Sequence, residues 1–509
     1  MSRATYLQKI IHRMTCFIFV LVTIAGWFNI KADHVFMKFN TLSREQEITG
    51  WGTSAAWWAQ IAGESENAEE LAKLLYSEEG LGLNIYRYNV GGGEKDNPAT
   101  RLPGNEWRAT ESFLVYDEAT GEYSYDWSKD AAAQKMLELS LEQGCVDTVV
   151  LFANSPHYTM TESGSAAGSY QDNTCNLKDG YADDFAKYMC DVAEYFIGKG
   201  VPVKYISPIN EPQWSWGGGW VGQEGCHYEL EDIIEVGEAF AAEIKARDLD
   251  VKLSLAESGC ISDDTMNYID AIAENEAIMD VLGTYAYHSY WTDDIAYKYA
   301  FGKYMEKNYK SLELEMSEWC ELPNEHKIDE IDAAIIMARE ISEDVTLTGV
   351  NSWTSWVAVN DGLYDADSMI GANGDCSEYV IGKRYYAMAH FAKFVPAGSR
   401  AVNFDISVAD ISAEEAWWDD VVDEKAYDHY IIENRMNVSA FRTPEGNYVA
   451  VIVNNGAEKE FTYVMPGYTM SVYTTDAERD LELTADKWAV GKVQVPEKSL
   501  VTVVFEPVI

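Results

Sequence analysis

The sequence predicts an α/β chain, a closed (β/α)8 TIM barrel with an appended β-sandwich. Three observations predict it. Eight short apolar runs end near Gly52, Asn89, Asn154, Glu211, Glu257, His288, Glu318 and Trp353, each followed by a polar loop. Between them runs helical periodicity: Tyr181, Phe185, Tyr188, Val192 and Phe196 recur on one helical face, as do Ile233, Val236, Phe240 and Ile244. Eight such units close into a parallel barrel ringed by helices. Beyond residues 396–399 the pattern changes. Turn sequences such as Pro444-Glu445-Gly446-Asn447 and Asn454-Asn455-Gly456, with the alternation of NYVAVIVNN and LVTVVFE, fit a sandwich.

Taken in order, the chain begins with Arg3, Lys9 and Arg13 ahead of an apolar run over residues 16–28. That run is short for a membrane span of ~20 residues. It reads as a secretory signal over residues 1–32, cleaved near Ala32, which makes the mature chain secreted. A retained anchor is the alternative, and the one way this chain would meet a membrane. Residues 33–48 read as one or two strands that join the sandwich, because a lone strand needs a partner. The barrel is expected over residues 49–395 and the sandwich over 396–509. Long loops follow the second and third strands, over 91–126 and 155–176; loops of that length are usually functional. Residues 414–430 form an acidic, aromatic insert with no evident place in either pattern.

Composition excludes several classes. A net charge of −46 argues against nucleic acid, whose phosphates need clustered Lys and Arg. The eight His form neither H-x-H nor H-E-x-x-H, so no metal site is expected. The Cys at positions 16, 145, 175, 190, 226, 260, 320 and 376 contain no C-x-x-C pair. A bridge between loops, such as Cys175 with Cys226, is compatible with the sequence but not derivable from it. The 16 Trp and 32 Tyr serve a large core, yet several Trp fall at or just past strand ends, where flat apolar faces could stack on pyranose rings.

Two stretches carry the chemistry. ISPINEPQW (206–214) reads as a strand over 205–209 that stops at Asn210-Glu211-Pro212, since proline cannot donate to a sheet ladder. ELEMSEW (313–319) likewise ends in Glu318. The two glutamates lie three β/α units of roughly 35 residues apart, which assigns them to strands four and seven at the catalytic face. Glycoside hydrolysis needs one carboxylic acid to protonate the leaving oxygen and one carboxylate beneath the ring. Glu211 suits the acid/base, its pKa raised by an ionised partner, and Glu318 suits the nucleophile. Asn210 could bond the sugar 2-hydroxyl. Glu257, ending strand five, is the rival carboxylate, and inverting chemistry would set the pair farther apart. A non-catalytic carbohydrate-binding protein would use the same aromatic strand ends but has no need of both carboxylates.

At these residues the chain resembles glycoside hydrolase family 30, and most its endo-β-1,6-galactanase-like branch. The matching segments are GWGTSAAWWA (50–59), YRYNVGGG (86–93), LFANSPHYTM (151–160), INEPQW (209–214), QEGC (223–226), YHSYW (287–291) and MSEW (316–319). The resemblance implies a retaining hydrolase acting on a polysaccharide or oligosaccharide without a cofactor, with Glu211 as acid/base and Glu318 as nucleophile. It implies sugar contacts from Arg87, Asn154, Asn210, His288, Tyr290 and Trp353. Arg87 could hold Glu318 ionised. Trp214, Trp216, Trp220, Trp291, Trp353 and Trp356 offer stacking faces. Other specificities of the family, as xylanase, β-glucosidase or β-fucosidase/xylosidase, are the alternatives. The chain departs from the family at His157, where a second proline or a small residue is expected, and in the 414–430 insert.

Overall fold

The computed structural model describes residues 34–102, 107–117, 119–218, 222–292, 295–407, 431–432, 436–463, 465–488 and 491–508. The signal segment, Cys16, Trp220 and the 414–430 insert lie outside the described residues. Among the described residues no helix is long and apolar enough to cross a membrane. The chain divides into two compact units, one holding Gly50–Asp329 and Leu347–Tyr385, the other the described residues up to Thr49, Glu330–Thr346 and those from Tyr386 onward.

The first unit is the closed (β/α)8 barrel. Its eight strands are Gly50–Ser54, Ile85–Asn89, Thr148–Phe152, Val203–Ser207, Lys252–Ser258, Leu282–His288, Glu313–Glu318 and Ser352–Ser355. Each pairs in parallel with its neighbours, and the eighth closes on the first in the register Trp353 with Trp51. The strands are short and buried on both faces, as apolar runs such as TVVLF require. Both expected helices form. Ala182–Gly198 buries Phe185, Tyr188, Val192 and Phe196, and Leu230–Arg247 buries Ile233, Val236, Phe240 and Ile244. The latter starts on a capping box in which Glu229 and Asp232 exchange side chain-to-backbone bonds.

One boundary differs from expectation. The fourth strand ends at Ser207 rather than residue 209. Pro208, not Pro212, is the first residue without an N–H to give, so the ladder stops one proline earlier. The loop after the second strand contains a hairpin of its own, Leu114–Asp117 with Glu122–Tyr125.

In the second unit one long strand, His34–Ile48, pairs antiparallel with Ser399–Ser407 and parallel with Lys459–Tyr463. It thereby joins the strands around Tyr448–Asn454 and Ser499–Pro507 to those around Lys459–Tyr463 and Gly491–Val495 in one continuous path. The path folds over on itself: Phe461, Val493 and Val495 share a core with Ala450, Ile452, Val501 and Val503, which is the packing of a sandwich. Helix Ile331–Glu343 lies between the seventh and eighth barrel strands in sequence but belongs to this unit, against Met436–Arg442, Tyr448–Asn454 and Ser499–Pro507.

Candidate active site

Five barrel strands, with the turns just past them, deliver seven polar side chains to a common centre. Arg87, in the second strand, donates from Nη1 to Glu318 Oε2 at 2.9 Å and from Nη2 to Glu257 Oε2 at 2.5 Å and Asn210 Oδ1 at 3.2 Å. Its guanidinium sits over the Phe152 ring, 3.5 Å from the centroid. His288, at the end of the sixth strand, places Nδ1 3.2 Å from Glu211 Oε1. Its Nε2 lies 3.5 Å from Glu257 Oε2 and 3.8 Å from Glu318 Oε2, ion-pair rather than hydrogen-bond distances. Tyr290 donates to Glu318 Oε1 at 3.1 Å. Each oxygen of Glu318 therefore has its own donor. One oxygen of Glu211, one of Glu318 and one nitrogen of His288 lie within 4.8 Å of one another.

Glu211 and Glu257 both adopt left-handed backbone angles, φ +48° and +49°. That region disfavours any residue with a Cβ, and such residues cluster where a side chain must be aimed. The Glu211 N–H donates to the Glu257 carbonyl at 2.9 Å, so the neighbouring strand end holds the turn.

The electrostatics follow from burial and pairing. Burial pulls Arg87 down, but Glu257 and Glu318 outweigh it and keep it charged. Burial pushes Glu257 up, and Arg87 with His288 more than reverses this, fixing it as an anion. Burial also pulls His288 down; the charge of Glu318 and the contacts to Glu211 and Glu257 lift it to about 9. Glu318 is pushed up to about 7, chiefly by burial, against the pull of His288 and Arg87. Two cations thus face three carboxyls. The excess of negative charge falls on Glu318, the carboxyl that burial lifts.

By spacing alone Glu211, His288 and Glu318 could hold a divalent cation. Their other contacts argue against it. Each already faces a protein partner: His288 Nδ1 and Glu211 Oε1 stand 3.2 Å apart, and Arg87 pairs with Glu318.

The centre opens into a cleft of about 690 Å3. Beside Glu211 its wall carries Trp214, Trp216 and Trp291, with the Trp214 and Trp291 rings edge to face at 5.3 Å. Trp216 also donates from Nε1 to the Glu211 carbonyl at 2.9 Å. Trp57 and Trp356 also line the cleft, edge to face at 5.1 Å, with Arg108 stacked over Trp57 at 4.8 Å. Asn360 donates to Asp367 at 2.7 Å along the same wall.

Of the residues singled out in the sequence, Glu211, Trp214, Tyr290 and Glu318 line the cleft, and Arg87, Asn210 and His288 are buried directly behind the carboxylates. Asn154, buried just past the third strand, has no protein partner for either amide atom. Trp353 does not reach the cleft. It lies inside the eighth strand rather than past its end and is fully buried, 6.2 Å from Trp319; Trp356, three residues on, lines the wall instead. Glu257, 1 % exposed and clamped by Arg87, does not face the cleft. His157 is also buried, bonded to Thr159 at 2.8 Å.

Sequence reasoning missed Trp57, Arg108, Asn360 and Asp367. Trp57 sits in a quoted motif, GWGTSAAWWA, but precedes any helical or strand signal. Arg108 lies in a long loop with no pattern to mark it. Reasoning also read no role into Glu224 of the QEGC segment. This glutamate is fully buried and accepts the N–H of Gly92 and Glu94 and the Thr110 hydroxyl. It ties the triple-glycine loop down. A Cβ on Gly92 would approach Ala166 Cβ to 2.6 Å, which accounts for glycine there.

Comparison with known proteins agrees with this architecture. The family model described as O-Glycosyl hydrolase family 30 matches residues 34–370, about two thirds of the chain. An endo-beta-1,6-galactanase of Hypocrea rufa is 26% identical over 226 residues, covering 39% of this chain and 44% of that protein. An exo-beta-1,6-galactobiohydrolase of Bifidobacterium longum subsp. longum is 28% identical over 221 residues, covering 33% of this chain and 14% of that protein. The chain thus spans less than half the length of either relative. The crystal structure of a conserved exported protein from Bacteroides fragilis superposes with a TM-score of 0.78 at 24% identity, covering 92% of this chain and 100% of that one. On the span of the family match the chain belongs to O-glycosyl hydrolase family 30.

Proposed function

We propose that the protein is an exported, retaining glycosidase that cleaves β-linked glycans by double displacement, with β-1,6-linked galactan as its substrate. The observation that carries the mechanism is the approach of Glu211 and Glu318 oxygens to within 4.8 Å. Retaining pairs stand ~5–5.5 Å apart, whereas inverting pairs leave room for a water at ~6.5–9.5 Å.

Glu318 attacks the anomeric carbon while Glu211 protonates the departing oxygen. Glu211 then takes a proton from water as that water releases the sugar from Glu318. Arg87 and Tyr290, one on each Glu318 oxygen, aim the nucleophile. Asn210 gives its carbonyl to Arg87, so its NH2 is left to donate to the sugar 2-hydroxyl. The unpartnered Asn154 amide takes a further hydroxyl. Aromatic rings beside both carboxylates give pyranose faces a place to stack on either side of the scissile bond. The β-1,6-galactan assignment is supported by the two curated relatives. Export is supported by the apolar N-terminal run and by the exported relative of known structure.

The test is hydrolysis of β-1,6-galactan, xylan, β-1,6-glucan and aryl β-glycosides, with products sized and their anomeric configuration read by NMR. Galactan-derived oligomers released first as the β-anomer are expected. Preference for xylan or glucan would move the specificity elsewhere in the family, initial α-anomer would overturn double displacement, and glycan binding without hydrolysis would make the protein a binding module.

A further inference from the structure

The loop after the third barrel strand and the loop after the fourth run side by side, joined by bridges between Ala167 and Gly225 and between Cys175 and His227. Ser169 N–H also donates to the Trp216 carbonyl at 2.9 Å, and the Ser215 hydroxyl to Asp172 at 2.9 Å. The second bridge sets Cys175 against Cys226, which immediately precedes His227. Cys226 is fully buried and Cys175 half-buried, and neither is bridged in this structure. The hydroxyl of Tyr228, buried with no hydrogen-bond partner, is close enough to the same two thiols to interact with them electrostatically.

We propose that Cys175 and Cys226 are a disulfide-forming pair that staples these two loops together at the wall of the substrate cleft. The setting is what a forming pair needs: two thiols in mutual contact, one reachable from solvent and one shielded. Burial pushes Cys226 up, but the Cys175 thiol, the N–H groups of Asn176 and Leu177 and the Tyr228 hydroxyl outweigh it and hold the sulfur below its ordinary range. The bond to Cys226 and burial raise Cys175.

The oxidant is a low-molecular-weight disulfide. Cys175, the accessible thiol, attacks one of its sulfurs, loses its proton to the departing small thiolate and forms a mixed disulfide. The Cys226 thiol then loses its proton as its sulfur attacks the Cys175 sulfur and expels the second small thiolate, which takes up that proton. Two protein thiols are oxidised and one small disulfide is reduced to two small thiols.

The consequence falls on the cleft. The stapled loop after the fourth strand carries Glu211, Trp214, Trp216 and Gln223, and the facing loop carries Asp172, all on the cleft wall. A covalent tie between them fixes the spacing of the wall that a polymer must enter.

The test treats the full chain with glutathione disulfide or with dithiothreitol, alkylates, digests and maps peptides by mass. A peptide linking Cys175 to Cys226, two fewer titratable thiols and a melting temperature several degrees higher than the reduced form are expected. Recovery of both cysteines alkylated after oxidation overturns the pairing. Cys226→Ser should accumulate glutathione on Cys175, because the resolving sulfur is gone; absence of that adduct overturns the proposed order of attack. Oxidation should lower KM for polymer a few-fold in the natural chain and leave it unmoved in Cys175→Ser, and equal KM in both redox states sinks the link to the cleft. The mass-mapping arm does not depend on which glycan is cleaved, so it stands or falls separately from the proposed substrate.

Discussion

The two glutamates at the centre are held in opposite ways. Glu318 is the last residue of its strand and has a side-chain donor on each oxygen, Arg87 on one and Tyr290 on the other. Glu211 lies four residues past its strand, on a backbone at φ +48°, and its carboxylate is met by His288 at 3.2 Å. The first arrangement clamps a group that must attack along one line. The second tethers a group that must give up a proton, turn to a water and take one back. A nucleophile tolerates a stiff hold, whereas an acid/base needs its proton exchangeable; the difference in anchoring is the difference in task.

The sharpest way to break the comparison is to remove each carboxylate in turn. Glu318→Gln should lower kcat on every glycoside by about 10⁴-fold or more, since no covalent intermediate can form. Steady-state rates on an aryl glycoside and on polymer measure this, and near-natural activity on either would strip Glu318 of its role. Glu211→Ala should cost roughly 10²–10⁴-fold on polymer but far less in the first step on an aryl glycoside, whose leaving group needs little protonation. Equal losses on the two substrates would mean that Glu211 is not the acid. A melting temperature close to that of the natural chain shows in each case that chemistry, not folding, was lost.

The proton itself gives the next test. Glu318 must be ionised to attack, and burial lifts it to about 7. Above about pH 7 the nucleophile is an anion; below it the carboxyl holds its proton and attack stops. Thus kcat/KM should fall about tenfold per pH unit below a midpoint near 7. His288, raised to about 9, stays cationic across that limb and depresses Glu318, as does the Arg87 charge, whereas the Glu257 anion raises it. His288→Asn removes one positive charge, so the midpoint should move to higher pH. A midpoint that stays put or moves down would show that the imidazolium does not face this carboxyl.

The same contrast explains what could be read in the sequence. Clean strand endings were legible: Glu318 and His288 terminate their strands where periodicity places them, because an apolar run followed by a charged residue has one sensible outcome in a barrel. The Glu211 turn was legible in part. Asn-Glu-Pro marks an ending, but Pro208 had already broken the ladder, and the left-handed angle leaves no sequence signature on a glutamate. Trp353 was misplaced by its neighbours: a tryptophan inside a four-residue strand and one just beyond it look alike in sequence, and only the pleat decides which faces inward. Arg108 and Asp367 could not be found at all, because loop residues brought together by tertiary packing carry no period. The triple glycine and the buried glutamate of QEGC were visible as motifs, while their bond to each other spans more than a hundred residues.

Glu211 being tethered rather than clamped also means that its position depends on the room around it, and Gly259 leaves room beside its carboxylate. A Cβ built there would stand 2.3 Å from Trp214 Nε1 and 2.8 Å from Glu211 Oε1, nearer than any real Cβ contact. Gly259→Ala must therefore push Trp214, the Glu211 carboxylate, or both. Displacements of about an ångström at a reacting group cost up to 10²-fold, so a loss of roughly tenfold in kcat on polymer is expected, with a smaller loss on aryl glycosides. Glu318 is not among the atoms nearest the new methyl and keeps both donors, so trapping of the covalent intermediate by a slow-turnover fluorinated glycoside should proceed at close to the natural rate. If trapping slows as much as polymer turnover does, the methyl has disturbed the clamped side as well, and the two carboxylates are mechanically one unit rather than two.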